Sequence, residues 1–117
     1  MSEARSISND GIPRIATGLC SGMARTGGMC GALSGAILAI GMAIGRDSAH
    51  GSVEPTYLQV RSLIVGFRER HGSTSCPDLI ECDLNTEEGQ LVFKQEHRID
   101  RCRRYVEDAA WIAQGLI

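Results

Sequence analysis

Five cysteines are the residues most able to do chemistry in this chain of 117 residues. A cysteine thiolate is a nucleophile, a redox group and a ligand for soft metals. The cysteines stand at Cys20, Cys30, Cys76, Cys82 and Cys102. No spacing among them is a CxxC, so neither a thioredoxin-type site nor a zinc ribbon is present. Any shared site must therefore be assembled by the fold from distant segments.

Three of the cysteines are predicted to lie where helices begin. Cys30 follows a glycine pair in the first turn of a central helix, and Cys76 precedes a proline at another helix start. Cys102 lies among arginines in the first turn of the last helix. Helix N-termini and nearby arginines stabilise the thiolate form of cysteine. We therefore favour a redox or metal-binding role for these three cysteines over the alternative, in which they are small buried residues of the core. Cys20 and Cys82 are candidates to complete a four-cysteine set.

Composition excludes several other functions. The net charge is −2, which gives no basic surface for nucleic acid. Phosphate-binding loops, HExxH and a Ser-His-Asp arrangement are absent, so we propose no hydrolase or nucleotide chemistry and assign no catalysed reaction. Neither a signal-peptide pattern nor a C-terminal lipidation motif is present, which predicts a cytoplasmic location with reduced thiols.

The elements that must position the cysteines are all helical. The patterns predict a compact all-α bundle of four or five helices around a Gly/Ala-rich central helix at about residues 29–45. Shorter or more polar helices are expected over 12–23, from Glu54 to Gly72, from Ser75, from Asn85, and over about 100–114. We predict a flexible segment over residues 1–11 and a single helical domain over 12–117. Twenty uncharged residues between Arg25 and Arg46 approach the length of a membrane span, but glycines dilute them, which favours a buried helix.

Histidines and arginines carry weaker signals. His71 beside Gly72 is predicted to cap a helix end, His97 is the better candidate for a metal ligand, and His50 is isolated. Four arginines form a local basic patch near the last helix. We interpret them as a solvated face paired with nearby acids, the alternative being a docking site for an anionic partner. The patch consists of Arg98, Arg101, Arg103 and Arg104, and the acids are Glu96, Asp100, Glu107 and Asp108.

The ordered glycines and cysteines resemble a known family. The stretches that carry the resemblance are IATG (15–18), GMARTG (22–27), CGALSGA (30–36), HGS (71–73), CPDLI (76–80) and CDL (82–84), followed by Cys102. They are similar to the C-GCAxxG-C-C family of redox-active proteins from bacteria and archaea. The resemblance implies that Cys30, Cys76 and Cys102 are functional. An iron–sulfur or other metal centre for electron transfer would then use Cys30, Cys76, Cys82 and Cys102.

Glycines near Cys30 would let backbone N–H groups approach such a centre, and Gly28, Gly31 and Gly35 are the candidates. Metal-free thiol–disulfide chemistry and a helical interaction module with core cysteines remain alternatives. Family members usually begin with a further helix that bears an Asn-Cys-Ala motif, and this chain is expected to start after it. Cys20 stands where the family usually has glycine. The resemblance and the glycine-rich packing predict a homodimer, and a redox partner protein is an expected partner.

Overall fold

The computed structural model describes residues 11–117. Residues 1–10 of the predicted flexible segment lie outside the described residues. The helical elements are α1 Ile12–Ala16, a 3₁₀ turn Thr17–Leu19, α2 Cys20–Arg25, α3 Gly31–Ile44, α4 Glu54–His71, α5 Cys76–Ile80, α6 Glu87–Gln95 and α7 Ile99–Leu116. The predicted all-α bundle is confirmed. Four helices of the described chain have nine or more residues, and the others are single turns.

Local sequence signals explain where the longer helices begin and end. Pro55 occupies the first turn of α4, and Gly72 ends that helix with a left-handed φ of 82°. The N–H of Gly72 donates to the carbonyl of Arg68 at 2.7 Å. The Thr86 hydroxyl accepts from the Gly89 N–H at 2.9 Å and caps α6. The cap is therefore Thr86, one residue after Asn85, where this helix is predicted to begin.

The core lies between α3, α4 and α7, which pack on one another in pairs. Leu33 and Ile40 of α3 and Leu63 and Phe67 of α4 are fully buried. α7 contributes small buried alanines, which let its backbone approach the other two helices closely. The predicted central helix is confirmed, because α3 contacts both of the other long helices.

The predicted helix over 12–23 is wrong in its second half. α1 ends at Ala16, and the backbone turns left-handed from Ser21, with φ values of 57° at Ser21 and 67° at Arg25. Hydrogen bonds within the turn replace those of a right-handed helix: the N–H groups of Gly28 and Thr26 both donate to the carbonyl of Gly22, at 2.9 and 3.3 Å. This turn is the segment labelled α2.

The uncharged stretch forms a helix shorter than a bilayer. α3 has 14 residues, or about 21 Å at 1.5 Å per residue, against about 30 Å for the hydrocarbon core. Across residues 11–117, no helix has both the length and the apolar character needed to cross a membrane.

Candidate functional site

A short backbone pairing brings the beginnings of α3 and α5 together. Met29 and Ser75 form an isolated antiparallel bridge. On either side of it, the Cys30 N–H donates to Thr74 at 2.7 Å, and the Cys76 N–H donates to Gly28 at 2.9 Å. Residues next to a bridged pair project to the face opposite that pair. The pairing therefore directs Cys30 and Cys76 to the same side.

The left-handed turn packs directly behind Cys76. A Cβ atom placed on Gly22 would lie 2.5 Å from the Cys76 Cβ, and Gly22 has a φ of +68°. Glycine is required here for both reasons. The neighbouring Ser21, Met23 and Ala24 adopt similar left-handed angles without being glycine. Such angles cost about 1–2 kcal/mol per residue, so the turn is held by its surroundings.

The cysteines surround an apolar pocket of about 560 Å³. Cys20, Cys30, Cys76 and Cys102 line it, together with Ser21 and with apolar side chains and glycines from α1, α3, α5, α6, α7 and the loops. Cysteine is the only ionisable residue type in the lining. Cys82 follows α5 and lies outside that lining. The fold thus brings together cysteines from four separate segments.

The glycines predicted near the cofactor divide into two groups. Gly31 and Gly35 line the pocket. Gly31 also packs closely on the turn, since a Cβ there would lie 3.1 Å from the Leu19 carbonyl oxygen. Gly28 lies outside the lining, and its carbonyl accepts the Cys76 N–H. Gly28 thereby holds a cysteine in position through its backbone.

Burial raises the pKa of two of the thiols. Loss of hydration, followed by the charges of Cys30, Cys102 and Cys82, raises the pKa of Cys76 from 9.0 to about 11. Burial likewise raises the pKa of Cys102, followed by the charges of Cys30 and Cys82. These four cysteines therefore lie within electrostatic range of one another.

The expectation that helix beginnings favour the thiolate is wrong for Cys76 and Cys102. Cys76 is the first residue of α5 and Cys102 the fourth of α7, as the sequence indicated. Their thiols are nevertheless stabilised in the neutral form, because loss of hydration outweighs the helix termini. Cys30 is the residue before α3 and not part of its first turn as predicted, and it is 7% exposed.

All five cysteines are free thiols. In the described part of the chain, no three side chains of His, Cys, Asp or Glu are grouped so that they could hold a metal ion. His71 lies elsewhere: its Nε2 is 2.9 Å from Oδ2 of Asp108, and its ring contacts those of Phe67 and Tyr105.

The sequence assigns no role to two residues that the structure places near the site. The Tyr105 hydroxyl donates to the Leu79 carbonyl at 2.7 Å. Burial raises the pKa of Tyr105, the charges of two arginines lower it, and those of Cys102 and Cys30 add smaller upward contributions. Gly22 is the second, and its contact with Cys76 depends on a turn that no local signal predicts.

Arg98 is a structural residue. Its Nη1 donates to the carbonyls of Ile80 at 2.8 Å and Glu81 at 2.6 Å, and so ties α7 to the end of α5. Its side chain is only 13% exposed. The expected pairing with acids holds for Arg98 with Glu96 at 3.0 Å and for Arg103 with Asp100 at 3.1 Å. The solvated face predicted for Arg98 is therefore wrong.

The fold and the site define an all-helical protein whose free cysteines gather round an apolar pocket. The family model described as "Putative redox-active protein (C_GCAxxG_C_C)" matches residues 1–116. The chain therefore belongs to this family, which is named for redox activity and for its cysteine pattern. No curated protein and no solved structure matches the chain.

Proposed function

We propose that this protein is an electron-transfer protein whose cysteines hold an iron–sulfur or other metal centre. The observation that supports this best is that Cys30, Cys76, Cys82 and Cys102 lie within electrostatic range of one another. Four thiolates are the usual ligand set of an iron–sulfur cluster. Such a cluster supplies one-electron transfer when bound.

The donor set suits a soft metal in both type and number. The raised pKa values of Cys76 and Cys102 mean that these thiols are neutral near pH 7 without a cation. A metal ion would displace their protons and remove the repulsion between neighbouring thiolates. No three ligands are grouped for a metal within residues 11–117, so metal binding requires the cysteine side chains to rearrange.

Anaerobic purification followed by iron, sulfide and visible-absorption measurements tests this proposal. We expect iron and sulfide to be lost in Cys30→Ser, Cys76→Ser and Cys102→Ser, and to be retained in the matched control Cys20→Ser. Cys20 is exposed and lines the pocket, but unlike Cys30 and Cys82 it does not contribute to the raised pKa of Cys76 or of Cys102. Cys82→Ser decides whether that residue is the fourth ligand. A wild-type protein that stays free of metal after reconstitution rules the proposal out.

Metal-free thiol–disulfide chemistry is the second candidate. The Met29–Ser75 bridge favours it, because Cys30 and Cys76 each follow a bridged residue and project to the same side of the paired segments. Mild oxidation would then join these two residues in one defined disulfide, which peptide mass spectrometry detects. Mixed or absent cross-linking rejects this candidate.

We also propose that two copies of the chain associate and that a partner protein exchanges electrons with them. Exposed apolar residues support the association: Leu38 and Met42 lie one turn apart on α3, and Leu58 and Val65 lie two turns apart on α4. Analytical ultracentrifugation over a range of concentrations tests the dimer. A monomer at every concentration rejects it.

A further inference from the structure

The pocket beside the cysteines is chemically selective. Its volume of about 560 Å³ lies within the range of about 300–1,000 Å³ for small-molecule sites. Apart from the cysteines, no side chain in its lining can carry a charge. A phosphate, carboxylate or ammonium group placed there would lose its hydration without gaining an ionic partner. The occupant that fits is uncharged.

We propose that this pocket binds an uncharged quinone-type electron carrier against the cysteines. The proposal deepens the second candidate function, metal-free thiol–disulfide chemistry, and rests on a redox role for those residues without a bound metal. A quinone and its hydroquinone are both uncharged, so both oxidation states suit the same apolar lining. Carriers built on nucleotides bear phosphates, and the lining offers those no cationic side chain. An apolar ring also packs well against the flat Gly/Ala surface that Gly31, Gly35 and Ala39 of α3 present.

Electron exchange with a quinone balances when two of the cysteines act as a dithiol. Cys30 and Cys76 together release two electrons and two protons, and a bond forms between their sulfur atoms. The quinone takes up both electrons and both protons and becomes a hydroquinone. The two S–H groups supply the protons of this exchange, so no further reactant is needed.

Two glycines of α3 allow the pocket to be blocked with a matched control. A Cβ atom on Gly35 has no neighbour within 4 Å, and Gly35 lines the pocket. Gly35→Leu therefore places a side chain in the cavity without a clash at its Cβ. Gly41 also has no neighbour within 4 Å of a Cβ and lies outside the lining. Gly41→Leu makes the same change in the same helix while leaving the pocket open.

Durohydroquinone is a suitable probe, because its four methyl groups block addition of thiols to the ring. Equilibrium dialysis under anaerobic conditions with fully reduced protein measures binding without electron exchange. We expect the wild-type protein to bind the hydroquinone saturably at one site. Gly35→Leu should lower the affinity at least about tenfold, a loss of about 1.4 kcal/mol in binding free energy. Gly41→Leu should bind within about twofold of wild type, and a sulfonated hydroquinone at least about tenfold more weakly because its charge lacks a partner.

The absence of saturable binding overturns the proposal, and so does equal weakening in the two leucine variants. A third outcome would also overturn the proposal: the wild-type protein binds no hydroquinone, and Gly35→Leu abolishes the dimer. The pocket would then be a contact between two copies of the chain. Metal analysis and disulfide mapping on the same protein samples separate the two proposals. If the hydroquinone binds in a Gly35-dependent way but the cysteines are redox-inert, the proposed function is rejected and the binding site stands. If the cysteines are redox-active but no such binding occurs, the binding site is rejected and the proposed function stands.

Discussion

Two regions of the molecule are held together by different forces. The helix core, made of α3, α4 and α7, consists of right-handed helices joined by buried apolar side chains. The cysteine turns, residues 20–30 and 73–82, consist of short elements joined by backbone hydrogen bonds and by Arg98. The cysteine turns also contain left-handed non-glycine residues, whereas the helix core has none. A rigid scaffold thus supports a strained segment that carries chemistry, which is where such strain tends to occur.

The largest effect should come from the helix core. Phe67 is fully buried, and its ring contacts those of His71 and Tyr105. We expect Phe67→Ala to lower the free energy of unfolding by about 3–5 kcal/mol, because it leaves a cavity between α4 and α7. Urea denaturation followed by circular dichroism measures this loss.

Leu58→Ala is the control for that measurement, because Leu58 lies on the same helix and is 62% exposed. Its effect should stay within about 0.5 kcal/mol. Equal losses of unfolding free energy in the two variants would show that buried apolar side chains do not stabilise the helix core more than exposed ones do.

The next largest effect should come from the polar link in the cysteine turns. Arg98→Ala removes two charged hydrogen bonds to the end of α5 and leaves the carbonyls of Ile80 and Glu81 without that donor. We expect a loss of about 2–3 kcal/mol in the free energy of unfolding. Cys76 and Cys82 should also react faster with a thiol reagent, because α5 loosens.

Arg103→Ala is the matched control, since the Arg103 side chain is 72% exposed and pairs only on the surface. Its cost should be at most about 1 kcal/mol. If both arginine variants behave alike, Arg98 does not hold the cysteine turns together.

A smaller effect of opposite sign should come from the left-handed backbone. Ala24 is exposed and has a φ of 58°. We expect Ala24→Gly to raise the free energy of unfolding by about 1 kcal/mol, because glycine adopts this conformation without steric cost. The same substitution at Ala43 in right-handed α3 should lower it by about 1 kcal/mol. Thermal denaturation of both variants tests whether the turn is strained. A loss of stability in both variants would contradict that strain.

The smallest effect should be a pH dependence arising from Cys76. The folded protein holds the Cys76 proton more tightly than the unfolded chain does, because burial and then the charges of the neighbouring cysteines raise the pKa of this thiol from 9.0 to about 11. The stabilisation is therefore fully present below pH 9 and is lost as the pH rises toward 11. We expect the melting temperature of wild type to fall across this window more steeply than that of Cys76→Ala. Cys20→Ala is the control and should follow wild type, and parallel curves for wild type and Cys76→Ala would contradict the prediction.

Much of the helix core could be predicted from the sequence, because its signals are local. Pro55 and Gly72 mark the ends of α4 within one residue. Outside the helix core, Thr86 marks the beginning of α6 in the same way. The cysteine turns could be predicted only in part. Cys76 and Cys102 stand near helix beginnings as expected, but their protonation depends on burial, which is a property of the assembled fold.

The sequence by itself determined the helical class, the limits of the long helices and membership of a cysteine-patterned redox family. Periodicity, caps and motif order are all written within short windows of residues. Only the tertiary structure decided that Cys20, Cys30, Cys76 and Cys102 share one apolar pocket, and that the chain from Ser21 to Arg25 turns left-handed behind Cys76. The physical reason is that these features depend on pairings between distant segments, such as the bridge from Met29 to Ser75, which no local pattern encodes.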